Sequence, residues 1–209
     1  ELAAGAVILG AMALSGCETM SEGECLAGDW SRRGYQDGQA GHALDRVDSY
    51  AQACSQYGVT PDARAYHAGW SQGVVLYCRP ENGFQVGAEG RSYNGVCAGQ
   101  RTERGFVTAY QDGRTVYDAQ QALRSAESSV SSLGGRLAEL DEKIIHFERE
   151  LRAPGLTDAQ RAQIRDRIGE LRAEHRSTER DWRRAQDAVA EAERHARDVS
   201  FYMRGRYGR

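Results

Sequence analysis

Lysine is nearly absent from this 209-residue chain: among 27 basic side chains, Lys143 alone is not arginine. Proline is scarce at three residues, which excludes a Pro-rich spacer. An excess of either charge is missing too, since 30 acidic groups offset the basic ones and leave a formal charge of -3. Nucleic-acid binding calls for a basic stripe, so no nucleic-acid partner is expected. Several catalytic signatures are lacking: there is no H-E-x-x-H, no Walker-type loop and no G-x-G-x-x-G. His42, His67, His146 and His195 stand singly, away from Cys or carboxylates at ligand spacing. The sequence therefore offers no catalytic residue and no metal site, and it reads as a non-enzyme.

What is present begins with an uncharged run from Leu2 to Leu14. The run falls short of the ~20 apolar residues that span a bilayer, and has the length of a signal-peptide h-region. It ends in Leu14-Ser15-Gly16-Cys17, which resembles the lipobox of bacterial lipoproteins. That resemblance implies a signal peptide over residues 1–16, its removal, and acylation of Cys17 as the new N-terminus. No basic n-region precedes the run, and the sequence, which opens at Glu1, is read as clipped at its start. The alternative is a buried N-terminal helix that meets a cysteine by chance. Each buried CH₂ contributes ~0.8 kcal/mol, so three acyl chains would hold the protein on a membrane. Glu18 stands where Asp marks inner-membrane retention in related lipoproteins, so the expected address is the outer membrane, facing the periplasm. Covalent lipid on Cys17 is the one attached group expected, without other cofactors. Residues 17–28 read as anchor and tether.

Four further cysteines, Cys25, Cys54, Cys78 and Cys97, lie in a glycine-rich region. In an exported chain an even set of this kind reads as two disulfides. Asp29 is suited to cap a helix running to about Tyr57, with Gly58 as its stop. Thr60-Pro61 opens a second helix, with Pro at the first helical position, ending near Cys78 before Pro80. Residues 81–99 carry Gly at 83, 87, 90, 95 and 99 and are expected to be loop with at most a short helical turn. Were the two helices antiparallel, Cys25 and Cys78 would share one end, which favours 25–78 with 54–97.

An aromatic precedes paired glycines in Tyr35-x-x-Gly38-x-x-Gly41, Tyr66-x-x-Gly69-x-x-x-Gly73 and Phe84-x-x-Gly87-x-x-Gly90; Tyr110-Gln-Asp-Gly113 repeats Tyr35-Gln-Asp-Gly38. Each Gly costs ~1 kcal/mol relative to Ala inside a helix. The compensating use expected is close approach of another backbone. The functional alternative is a groove for sugar or peptide lined by Trp30, Tyr35, Tyr66 and Trp70. Asp37 and Asp112 offer either a carboxylate pair or two local turn contacts.

From Phe106 onward the pattern changes. Leu123, Ala126, Val130, Leu133, Leu137, Leu140, Ile144, Phe147 and Leu151 step by three and four. After Pro154-Gly155 a second series runs from Ile164 through Ile168, Leu171, His175, Thr178, Trp182, Ala185, Val189, Ala192, Ala196 and Val199 to Met203. Thr157-x-x-Gln160 is a capping box between them. Sustained heptads predict a coiled coil folded back antiparallel, with its turn near 153–157 and arms of about 68 Å. His175 falls on the seam, as a register-setting polar residue or a pH-sensitive one.

With these residues assembled, the first half resembles domain-of-unknown-function family 2799, a group of proteobacterial lipoproteins. The matching positions are Cys17, Asp29-Trp30, Gly34-Tyr35-x-Asp37-Gly38-x-x-Gly41, Cys54, Pro61, Tyr66-x-x-Gly69-x-x-x-Gly73 and Tyr77-Cys78. They continue with Asn82-Gly83-Phe84-x-x-Gly87-x-x-Gly90-x-x-Tyr93-x-x-Val96-Cys97. The resemblance covers about half the chain; it implies an envelope address and supplies no activity.

The expected protein is all-α. A disulfide-stapled glycine-rich helical domain over 29–105 precedes a coiled-coil hairpin over 106–209. The expected role is structural or adaptor-like, with an envelope protein partner met by the tip, Arg152 to Thr157, or by the basic-aromatic tail, Tyr202 to Arg209. A binding module for cell-wall glycan or a small ligand is the second reading, and an inhibitor of a periplasmic hydrolase the third.

Overall fold

The computed structural model describes residues 20–208, and no strand occurs among them. Those residues form seven helices in order: α1 (Glu22–Ala27), α2 (Trp30–Ala40), α3 (Arg46–Ser55), α4 (Ala63–Tyr77), α5 (Pro80–Ala88), α6 (Glu103–Leu151) and α7 (Asp158–Tyr207). Packing divides the chain into two compact units. One holds the described residues up to Arg79 with Tyr93–Glu103; the other holds Pro80–Ser92 with Arg104 onward. The units thus cross the expected boundary at residue 105, because α5 packs on α6.

In the first unit, α1 replaces most of the expected tether. Ser21 and Glu24 form a capping box, the Glu24 backbone N–H meeting the Ser21 hydroxyl and the Ser21 N–H meeting the Glu24 carboxylate. Asp29 caps α2 as expected, accepting the Arg32 N–H at 3.1 Å. The helix expected to reach Tyr57 stops at Ala40. Gly41 takes φ 77°, and the Gly41 and His42 N–H groups close on the Gly38 and Asp37 carbonyls, the left-handed helix stop that glycine adopts freely. The rest of that span is the separate helix α3. Pro61 lies ahead of α4 rather than in its first turn, because Asp62 takes the cap, accepting the Ala65 N–H at 2.9 Å.

The disulfides are Cys25–Cys54 and Cys78–Cys97, not 25–78 and 54–97. All four sulfurs are wholly buried. The expected pairing rested on antiparallel helices, and α2 and α4 are parallel. A β-carbon on Gly34 would meet the carbonyl of Tyr66, and one on Gly38 that of Trp70; in return Gly69 meets Ser31 and Gly73 meets Tyr35. Contacts that advance together along both chains define parallel helices, so Cys25 and Cys78 belong to opposite ends. The return helix α3 brings Cys54 back to α1. Met20 is buried there too, its Sδ 3.8 Å from Cys54 Sγ.

In the second unit, α5 occupies the stretch expected to be loop, its Gly83 and Gly87 buried. Ion pairs join α6 to α7: Arg136 to Glu174, Glu148 to Arg172, and Asp141 to His175. Every position of both heptad series is buried or half-buried, with Leu140, Ile164, Ile168, Leu171, Thr178, Ala196 and Met203 the most enclosed. Between them Thr157 forms the expected capping box with Gln160.

Candidate functional site

The closest backbone approaches are two helix crossings, one in each unit. In the first, built β-carbons on Gly69 and Gly73 would sit 1.9 and 2.0 Å from the carbonyl oxygens of Ser31 and Tyr35. Only glycine lets the helices meet this closely, replacing side-chain contacts with backbone dispersion and Cα–H to carbonyl contacts. In the second, Gly83, Gly87 and Gly113 face the carbonyls of Phe106, Tyr110 and Phe84 at 2.5, 2.1 and 2.1 Å from the same built atom. Helices α5 and α6 are parallel as well.

The two crossings are copies. Gly34, Gly38 and Gly41 of the first correspond to Gly83, Gly87 and Gly90 of the second; Tyr66, Trp70, Gly73 and Tyr77 correspond to Phe106, Tyr110, Gly113 and Tyr117. Tyr77 lays its ring over Gly41, and Tyr117 lays its ring over Gly90. The Trp70 indole N–H donates to the His42 carbonyl at 2.8 Å, and the Tyr110 hydroxyl to the Arg91 carbonyl at 3.0 Å. Both first helices end on the same motif, with His42 N–H to Asp37 O and Arg91 N–H to Val86 O. The letter-for-letter repeat Tyr-Gln-Asp-Gly is a coincidence of a different kind, because Tyr35 stands on the first helix of its crossing and Tyr110 on the second of the other.

A pair of positions separates the copies chemically. Asp37, 5% exposed, accepts the hydroxyls of Tyr50 and Tyr66, each at 2.8 Å. Arg46 adds its Nε, 2.7 Å from the Tyr50 hydroxyl and 3.8 Å from Asp37. Burial first, and then the bond to the Asp37 carboxylate, push both phenols above their ordinary range. A buried carboxylate is tolerated where its lone pairs are met in this way. At the matching places of the second crossing stand Val86 and Phe106, both wholly buried. The polar pair of one copy is thus an apolar pair in the other. Sequence reasoning named Asp37 but missed Tyr50 and Arg46, which lie on α3 and are linked to it by no local pattern.

Asp112 serves its own unit. It accepts the Tyr207 hydroxyl at 2.6 Å and pairs with Arg206 at 3.3 Å. Burial, helped by Asp112, pushes the Tyr207 phenol up to about 12. The Tyr207 ring stacks on Phe84, centroids 4.4 Å apart, so the end of α7 is held against α5 and α6.

The four aromatics considered for a groove divide. Tyr66 and Trp30 are core residues, Trp70 is half-buried with its N–H spent on His42, and Tyr35 is exposed. Cys25, Cys54, Cys78 and Cys97 are all disulfide-bonded, while Cys17 lies outside the described residues. His175 is half-buried on the α7 inward stripe, its Nε2 3.2 Å from Asp141. In the tail, Phe201 and Tyr202 are exposed beside Arg204. Among the described residues no Cys, His or carboxylate cluster is placed to hold a metal, and no helix is long and apolar enough to cross a membrane.

Fold and site together define a disulfide-bonded helical protein built on a duplicated glycine crossing and continued by a pair of long helices. Residues 29–115 match the model of the family described as protein of unknown function (DUF2799). The match runs from the first turn of the first crossing to just past Gly113 of the second. No curated protein and no solved structure matches the chain.

Proposed function

We propose that the protein is a lipid-anchored component of the cell envelope, held by acyl groups on Cys17 and facing the periplasm, that acts as a structural or adaptor element and not as an enzyme. The observation that carries this reading is the pairing of α6 and α7. Helices of 49 and 50 residues bury a narrow stripe against each other while their outer faces carry ion pairs such as Arg183–Glu179 and Lys143–Glu139. We read them as an antiparallel coiled-coil hairpin. Each is about 74 Å long at 1.5 Å per residue. Length on this scale, spent on a solvated surface, suits reach toward a protein partner better than enclosure of a substrate. Two disulfides fit an oxidising compartment, and the apolar run ending at Cys17 fits export with the outer membrane as address.

The test is deletion of Glu139 to Glu174, which removes the hairpin end. The shortened protein should still be exported, lipidated and oxidised, while cells carrying it should match cells lacking the protein in envelope integrity. A photo-reactive side chain at 152–157 should give a discrete protein adduct in living cells. Full envelope integrity with the hairpin end removed would sink the adaptor reading.

A further inference from the structure

The fold begins almost at once after the residue expected to carry lipid. Only Glu18 and Thr19 separate Cys17 from Met20, and Met20 is already 4% exposed, packed on the Cys25–Cys54 disulfide. Three residues of fully extended chain reach at most about 11 Å. The next segment offers no slack, since residues 21 to 24 are locked in a capping box and Cys25 is covalently tied to α3. On the outer side of the same short helix, Leu26 is 63% exposed, more than Leu44, Val75 or Ile145. Arg32, at the start of α2, stands exposed with its guanidinium 3.1 Å from Asp29.

We infer that the α1 end of the first unit is a lipid-facing surface, seated on the headgroups with Leu26 inserted among them, rather than a domain hung on a flexible tether. The inference rests on acylation of Cys17. Given that anchor, chain length names the occupant: Met20 is held within about 11 Å of the acylated residue, and so beside the bilayer interface. An exposed Leu gains there by leaving water, and an arginine of this kind reaches phosphate while its stem stays on apolar surface. The other end of the α2–α4 crossing, where Val75 is exposed, faces away from the interface.

Two labelled proteins test this: the lipid-bearing full chain with Leu26→Cys or with Val75→Cys. The four disulfide cysteines and an acylated Cys17 leave the introduced thiol as the one reactive site. Each carries a fluorophore and is reconstituted in phosphatidylethanolamine–phosphatidylglycerol vesicles. Nitroxide lipids should quench the label at 26 several-fold more than the label at 75, and iodide in the buffer should show the reverse order. Equal quenching at the two sites in a protein whose intact mass includes the lipid would overturn the inference while leaving the anchor standing. A mass without lipid, with the Cys17 thiol free, would overturn the anchor and this surface together.

Discussion

A methyl group on Gly73 would sit 2.0 Å from the carbonyl oxygen of Tyr35 on the neighbouring helix. Backbone atoms on both sides leave nothing flexible to move, so Gly73→Ala must force α2 and α4 apart. The expected loss is about 3 kcal/mol, at the upper end of overpacking costs. Gly113→Ala should act alike in the second unit, where the nearest atom is the Phe84 carbonyl. Gly135 and Gly169 have open space around the same position. There the ordinary helix preference acts alone, and Gly→Ala should stabilise by about 0.5–1 kcal/mol. Urea unfolding of the four variants checks this; the same sign at all four sites would refute the crossing.

The exchange of Asp37 and Tyr66 for Val86 and Phe106 between the copies implies energetic coupling. Asp37→Val alone should cost about 2–3 kcal/mol, because the buried hydroxyls of Tyr50 and Tyr66 lose their acceptor. Combining it with Tyr66→Phe removes one of those orphaned donors. The double variant should therefore lose less than the sum of the singles, with a coupling of about 1–2 kcal/mol in a double-mutant cycle. Strict additivity would show that the network contributes nothing beyond packing.

Peptide mapping without reduction should recover Cys25 linked to Cys54 and Cys78 linked to Cys97. With sequence separations of 29 and 19, loop-closure reasoning gives about 3–4 kcal/mol for removing either bond by paired Cys→Ala substitution. Recovery of a 25–78 peptide would contradict the parallel arrangement of α2 and α4, since it joins opposite ends.

At acid pH the cap of α1 should fail. Hydrogen bonds from the Ser21 backbone and hydroxyl, then Arg33, hold the Glu24 carboxyl down at about 2 from an ordinary 4.5. A depressed carboxyl contributes stability above its unfolded pKa and loses it as pH falls through the folded one. Wild type should thus melt above Glu24→Gln at neutral pH, with the gap closing between about pH 4.5 and pH 2. A gap in Tm unchanged at pH 2 would assign it to something other than this charge.

Heptad spacing is legible in the sequence because each step of three or four puts a side chain on the same helical face, and all of them turn inward. The capping residues Asp29 and Thr157 are legible for a related reason: a cap is read within four residues. Direction is not legible. Gly34, Gly38, Gly69 and Gly73 announce a close crossing, but glycine spacing is the same whether the partner runs up or down, and an antiparallel choice carries the wrong cysteine pairing with it. Helix α5 escapes a reading that weighs glycine as a loop former, although Gly83, Gly87 and Gly90 are spaced four and three apart, like Gly34, Gly38 and Gly41. The Tyr50 and Arg46 contacts to Asp37 depend on where Gly41 turns the chain, which only the assembled fold specifies.

The order of the disulfides has a consequence for how the molecule is made. Each bond joins neighbours in the series of four, with no interleaving. A chain threaded through a translocation pore N-terminus first would show an oxidant Cys25 and Cys54 before Cys78 and Cys97. Linking thiols in their order of arrival then yields the native pattern directly. Acylation of Cys17 would withdraw the one thiol able to intrude. Were the chain exported and acylated as proposed, maturation along that route would need a thiol oxidant but no disulfide isomerase.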